Sequence, residues 1–405
     1  MEKRGMRGTS GGALRKFAGI GLFVAAAGLA AGCGGSEGAS GGGSGGSDEP
    51  IKVGVVLPQS GVYAGLGEDI ANGMELYFEE NRQLAGRDVE LVFEDDEADP
   101  QVGVQAARRL IESEQVDVLA GTVATPVAYG IIDLTARDQT PFVISNSTGN
   151  DATRRGAENV FRVSASSWQV SNPMGEYLVD EGVKSIAVSA ADYAAGTEMA
   201  EGFKEGYTEA GGEVVEEVYP PLATSDYSSF LTRIRGAEAD GEWSFYAGSD
   251  AVGFVQQYRQ FDIDKPLYGP GYIVDGEALE AQGEDALGVV TALHYSADAE
   301  SPTNEEFRSS YQEAYSEEAS VYAVQGWDTA WLIGEALKAN EGDTEPEALI
   351  SAMEEVEFES PRGPMELDEN HNPVQNIYIR EVQEVDGGID SVIVDTIEDV
   401  RDPGE

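Results

Sequence analysis

Cysteine, histidine and basic residues are all scarce in this 405-residue chain. Cys33 is the only cysteine, so no disulfide can form within the chain. The two histidines, His294 and His371, lie far apart in sequence, which argues against a histidine-rich metal centre and against a Ser–His–Asp triad. Lysine and arginine together number 25 against 75 aspartates and glutamates, a formal net charge of −50. A surface of that sign repels nucleic acid and anionic membrane. It suits a salty habitat, where charges are screened within about 3 Å at molar salt. No apolar run is long enough for an ordinary spanning helix, the nearest being residues 17–31. The glycines of the loop at 61–67 are wrongly spaced for a dinucleotide fingerprint. The acidic run at 94–97 lacks the alternation and the glycine of a calcium loop, and reads as solvated. No cofactor, metal or catalytic chemistry is expected.

What is present begins with a leader at 1–33. Lys3, Arg4, Arg7, Arg15 and Lys16 precede the apolar run, the order of an export signal. Its end, Leu29-Ala30-Ala31-Gly32-Cys33, resembles a lipoprotein signal, although Ala30 stands where a branched aliphatic residue is usual. Arg15-Lys16-Phe17 faintly resembles a twin-arginine signal. The resemblance implies acylation at Cys33, and two acyl chains suffice for stable anchoring. Residues 34–50, rich in glycine and serine, then form a flexible tether.

From residue 51 onward strands and helices alternate. The run 52–57 reads as a buried strand and 89–93 as a second, with Leu66, Ile70, Met74, Tyr77 and Phe78 between them at helical spacing. Asp99-Pro100 caps the next helix. The stretch 116–151 is the organising unit: strands at 116–120 and 142–144 flank a helix ending near Asp138, with Thr125 as N-cap and Pro126 as first helical residue. That is a strand–helix–strand unit of a parallel sheet, whose ligands sit beyond the strands' carboxyl ends. Those ends, 121–125 and 145–149, offer hydroxyls and backbone N–H groups without a charged side chain, which suits a carboxylate held by helix N-terminal amides. The second half repeats the plan, with strands at 185–189, 214–219, 244–247 and 266–268. Helices fall at 197–210, 228–235, 251–260, 304–315 and 321–339.

Eight short motifs in order make the pattern specific. They are Ser60-Gly61 with Gly67, Asp95-Asp96 with Asp99-Pro100, the turns at 121–125 and 145–149, and the strings at 192–196, 224–227, 325–330 and 360–364. Together these resemble the leucine/isoleucine/valine-binding protein family, the substrate-binding proteins of ABC importers. The resemblance implies an α/β fold of two Rossmann-like lobes with parallel-sheet cores joined by three hinge crossovers, the type I periplasmic binding protein. It places the first lobe at 51–162 and 296–361, and the second at 163–295 and 362–400. It implies capture of a small molecule by lobe closure and delivery to permease subunits. A ligand-sensing receptor of the same fold is less expected, since no spanning helix or signalling domain follows.

By the same resemblance, Thr125, Ser147, Thr148 and Gly149 would hold the ligand's carboxylate and Tyr193 would cover it. Where the amino-acid binders carry an acid for the ligand's ammonium, this chain has Gly271, with Asp250 or Asp275 as possible substitutes. Aromatic residues are plentiful near the expected cleft: Tyr63, Trp168, Tyr193, Tyr246, Tyr272 and Trp327. The string 166–169 and the loop 60–67, with Ser60, resemble members associated with aromatic acids. Ser249, at the head of a second-lobe helix, completes the candidate set. An offset ring pair adds roughly 0.5–1.5 kcal/mol beyond its buried area, which favours a small carboxylate with an apolar or aromatic body. Branched-chain or other hydrophobic amino acids are the runner-up, and amides or urea come third.

Overall fold

The computed structural model describes residues 49–155 and 158–404. The leader, Cys33 and nearly all of the tether lie outside the described residues. Two sheets organise the rest. The first contains β1 (Ile51–Leu57), β2 (Gln83–Leu84), β3 (Arg87–Asp95), β4 (Val118–Gly121), β5 (Phe142–Ile144) and β6 (Val160–Arg162). Their spatial order is β2-β3-β1-β4-β5-β6, parallel except for the β2–β3 hairpin. The near-continuous apolar run of β1 follows from helices covering both faces, so that almost every residue in it is buried. These helices include α1 (Ala64–Glu80), α2 (Pro100–Arg109) and α3 (Thr125–Asp138).

The second sheet contains β7 (Ser185–Ala190), β8 (Glu213–Val218), β9 (Gly241–Phe245), β10 (Leu267–Pro270), β11 (Val290–Leu293), β12 (Met365–Leu367), β13 (Pro373–Val385) and β14 (Gly388–Val400). Five parallel strands run β8-β7-β9-β10-β11, and β13 adds antiparallel beside β11 and carries β12 and β14. Around it lie α4 (Ser167–Asp180), α5 (Ala194–Glu209), α6 (Ser228–Gly236), α7 (Gly248–Gln260) and α8 (Glu277–Gln282). The last helices, α9 (Pro302–Tyr315), α10 (Val321–Ala339) and α11 (Pro346–Glu354), return to the first sheet. There α10 lies so close to α1 that a Cβ at Gly73 would fall 2.0 Å from the Ala323 carbonyl oxygen. The chain therefore passes between the sheets after β6, after β11 and before β12.

Arg362 ties these passages together. Its Nη2 pairs with Asp328 of α10 at 2.7 Å, its Nη1 donates to Gln375 of β13 at 2.9 Å, and it also bonds the Val163 carbonyl. Both charges are fully buried, so losing either partner would cost about 3–5 kcal/mol.

Several sequence expectations need correction. The strand expected at 244–247 runs instead over Gly241–Phe245. Glu242 within it is fully buried, its carboxyl pushed well up by burial, and that acidic residue interrupts the apolar pattern. The run at 94–97 is not all solvated, because Asp96 is fully buried and accepts from the Ala98 N–H at 2.8 Å. Burial pushes its carboxyl up to about 6. Thr125 is the first residue of α3 and makes no side-chain cap; the flanking residue is Ala124. Asp99, by contrast, caps α2 by accepting from Gln101 and Val102. Among the described residues no helix is long and apolar enough to cross a membrane.

Candidate functional site

In each sheet the strand order reverses beside one strand, between β1 and β4 in the first and between β7 and β9 in the second. Crevices at such reversals are where open α/β sheets take ligands. The segments leaving these four strands meet one another. After β1, a single 3₁₀ turn, Gly61–Tyr63, leads into α1. After β9, Gly248 has φ +56°, and a Cβ there would fall 2.3 Å from the Val62 carbonyl oxygen. The phenol of Tyr63 faces that of Tyr193, the residue before α5, and burial followed by this neighbour pushes the Tyr63 hydroxyl well up.

The turns after β4 and β5 are knit together. Ser147 N–H donates to the Thr122 carbonyl at 3.1 Å, and Ser147 Oγ lies 3.0 Å from the Val123 carbonyl and 3.1 Å from Thr122 Oγ1. Thr148 is held by Ser167, whose N–H donates to its carbonyl at 2.6 Å and whose Oγ lies 3.0 Å from its Oγ1. Gly149 packs against Thr125 and Tyr129 with no room for a side chain, and its carbonyl accepts from Arg162 Nη1 at 2.6 Å. Thr125 Oγ1 is buried without a hydrogen-bond partner. A buried hydroxyl in that state costs about 1–3 kcal/mol, which a bound acceptor would relieve.

An arc of rings stands beside these turns. Tyr193 stacks on Phe245 at 6.3 Å, Phe245 meets Tyr272 edge-on at 6.4 Å, and Tyr272 stacks on Tyr322 of α10 at 6.1 Å. A polar relay joins arc and turns. Asn146 Nδ2 donates to Gln325 Oε1 at 2.7 Å, and Gln325 Nε2 lies 3.1 Å from His294 Nε2. The His294 ring sits 6.3 Å from that of Tyr272. Burial, then the positive charges of Arg362 and Arg380, push His294 well below its usual range and keep it neutral.

The structure thus joins Thr125 to the turn of Ser147, Thr148 and Gly149, sets Tyr63 beside Tyr193, and links Tyr272 to the turns through His294, Gln325 and Asn146. The remaining candidates make other contacts. Ser60 Oγ donates to Asp95 Oδ2 at 2.9 Å and clamps an exposed loop. Ser249 is exposed in the first turn of α7. The Trp168 indole donates to Glu205 on α5 at 3.0 Å, while its backbone N–H anchors Asn150. Trp327 packs edge-on against Tyr77 and Phe307 in the first core, and Tyr246 stacks on Phe254 in the second. Gly271 has no room for the acid expected of amino-acid binders, because a Cβ there would fall 2.3 Å from Arg380 Nη2. Asp275 is occupied by Arg380 and by the Val321 N–H, each at 2.9 Å. Asp250 keeps one oxygen free, the other accepting from the Ala223 N–H at 2.8 Å, and its charge acts on Tyr63 and Tyr193. Phe245 and Tyr322 escaped the sequence reading, since an aromatic at a strand end or a helix start looks like any core residue. No group of three or more His, Cys, Asp or Glu among the described residues could hold a metal ion.

Residues 50–388 match the family model described as periplasmic binding protein. The Leu/Ile/Val-binding protein homolog 6 of Brucella melitensis biotype 1 is 34% identical over 364 residues, covering 87% of this chain and 93% of that protein. A crystal structure of an ABC-transporter solute binding protein from R. palustris, in complex with benzoate, is 37% identical with a TM-score of 0.82. It covers 86% of this chain and 98% of its own. A second, from Rhodopseudomonas palustris BisB5 in complex with 3,4-dihydroxy benzoic acid, is 35% identical with a TM-score of 0.85, over 88% and 99% of the two chains.

Proposed function

This chain belongs to the periplasmic binding protein family as a solute-binding protein of an ABC transporter, and from that premise we propose that its cargo is a small aromatic carboxylate of the benzoate type. The observation that carries the reading is the arc Tyr193–Phe245–Tyr272–Tyr322 beside turns of hydroxyls and amides, with the Gly271 position backed by a guanidinium. A flat ring would lie along the arc while its carboxylate accepts from the unpartnered Thr125 hydroxyl and from the N–H that Thr125 presents at the head of α3, with Ser147 holding the neighbouring turn in place. An α-ammonium at the same place would lose its hydration and meet no acid at the Gly271 position. The relatives solved with benzoate and 3,4-dihydroxy benzoic acid support this choice.

Capture works through two-body closure: a ligand touching both sheets' turns favours the closed state by its differential affinity for it. The permease would then take the cargo from the closed form. Cys33 is the proposed acylation site. A Cys33→Ser protein should leave the membrane fraction, and unchanged fractionation and migration would reject the anchor.

A second reading, a hydrophobic amino acid, draws on the free oxygen of Asp250 near Tyr63 and Tyr193. Calorimetry with benzoate, 4-hydroxybenzoate, phenylalanine and leucine separates the two. Benzoates should bind more tightly than the amino acids. The reverse order, with amino-acid binding lost in Asp250→Asn, would replace the proposal.

A further inference from the structure

We infer that Glu198 is the positioning residue that latches the two bodies shut behind the carboxylate-holding turn. Glu198 lies one turn into α5, the helix that Tyr193 precedes, and so belongs to the second sheet's body. Both of its oxygens are engaged by the first. Oε1 accepts from Tyr129 Oη of α3 at 3.0 Å, and Oε2 accepts from the Asn150 N–H at 2.6 Å. Asn150 directly follows Gly149, so the latch closes on the segment that presents Ser147 and Thr148.

The surroundings are built to receive this carboxylate. Tyr129 is fixed against Gly149, where a Cβ would fall 2.6 Å from its hydroxyl, and Arg155 lies 4.0 Å over its ring. Burial raises the Glu198 carboxyl, and the bonds from Asn150 and Tyr129 oppose that rise, as does the charge of the fully buried Arg162, whose Nη2 lacks a hydrogen bond. Charge-assisted bonds of this kind are about twice as strong as neutral ones. Both bonds cross from one body to the other, so they exist only when the bodies meet. Their net gain over hydration of the same groups therefore counts toward closure. Glu198→Gln keeps the shape but turns an amide N–H₂ toward one of the two donors. Tyr129→Phe removes the other half of the same pair.

The choice of probe rests on the proposed cargo, so the test carries a readout independent of it. Benzoate and leucine are titrated into wild type, Glu198→Gln, Tyr129→Phe and the double variant, with dissociation rates by stopped flow. Small-angle scattering and thermal unfolding are recorded with and without ligand. Each single variant should weaken binding about ten- to a hundredfold, mostly through faster dissociation. Tyr129→Phe should cost less in the Glu198→Gln background than in wild type, because the two residues share one bond while the Asn150 bond belongs to Glu198 alone. The radius of gyration with ligand should rise, while unliganded melting stays near that of wild type. Unchanged affinity and dissociation would overturn the latch, as would equal destabilisation with and without ligand, which marks a merely structural role. If wild type binds neither probe, the cargo reading fails. The latch is then judged on scattering alone, with a more open variant supporting it and an unchanged radius rejecting it.

Discussion

Replacing Asp69 by asparagine should stabilise the protein, and the gain should grow with pH. Asp69 lies on α1, is nearly fully buried, and accepts from Ser320 Oγ at 2.5 Å. Across from it, a Cβ at Gly276 would fall only 3.3 Å from its Oδ2. Burial is the main cause that pushes its carboxyl up to about 7, against the opposing Ser320 bond and with help from Glu277, Asp275 and Glu317. A carboxyl raised in the folded state favours folding when protonated. Its contribution is complete below its ordinary value near 4 and is lost as pH rises through about 7. At 1.36 kcal/mol per unit, a rise of about three units makes ionised Asp69 cost about 4 kcal/mol above pH 7. The asparagine side chain would stay neutral and could still accept from Ser320. Urea unfolding of both proteins at pH 4, 5.5, 7 and 8 should show a stability difference near zero at pH 4, widening to about 4 kcal/mol at pH 8. Other carboxyl groups titrate alike in both chains and cancel. A difference that is flat with pH, or a less stable variant at pH 8, would refute the reasoning.

Two substitutions probe the cleft directly. Gly248→Ala forces a side chain into left-handed backbone, at about 1–2 kcal/mol, and against Val62 of the other body. Ligand affinity measured by calorimetry should fall more than tenfold, while unliganded stability drops only by the strain. Thr125→Ala with Ser147→Ala should weaken benzoate binding without abolishing it, since a hydrogen bond to a charged group contributes about 1.5–3 kcal/mol and the backbone amides remain. Unchanged affinity in a folded double variant would move the site elsewhere.

Legibility in the sequence followed physical visibility. The apolar run of β1, the Asp99-Pro100 cap and the helix Val321–Ala339 announce themselves through patterns that local chemistry alone produces. Elements that break those patterns were harder to see. Glu242 hides a polar side chain inside β9, and α4 carries Pro173 within its length. The hydroxyl turns and Tyr193 stand out as candidates because strand ends in a parallel sheet are where polar small residues collect. Ring direction does not. Tyr272 and Trp327 look equivalent in sequence, and only packing turns the first toward His294 and the second into the contact with Tyr77. The Glu198–Tyr129 pair, 69 residues apart, left no local trace at all.

The packing of α10 on α1 also sets an order of assembly. Tyr77 bonds Glu335 across 258 residues, and Ser320 reaches Asp69 across 251. Contacts of such separation form slowly. A ribosome therefore releases Ile70, Met74 and Tyr77 long before the helix that covers them exists. That face of the first sheet waits for a segment emerging only after the second sheet's parallel strands.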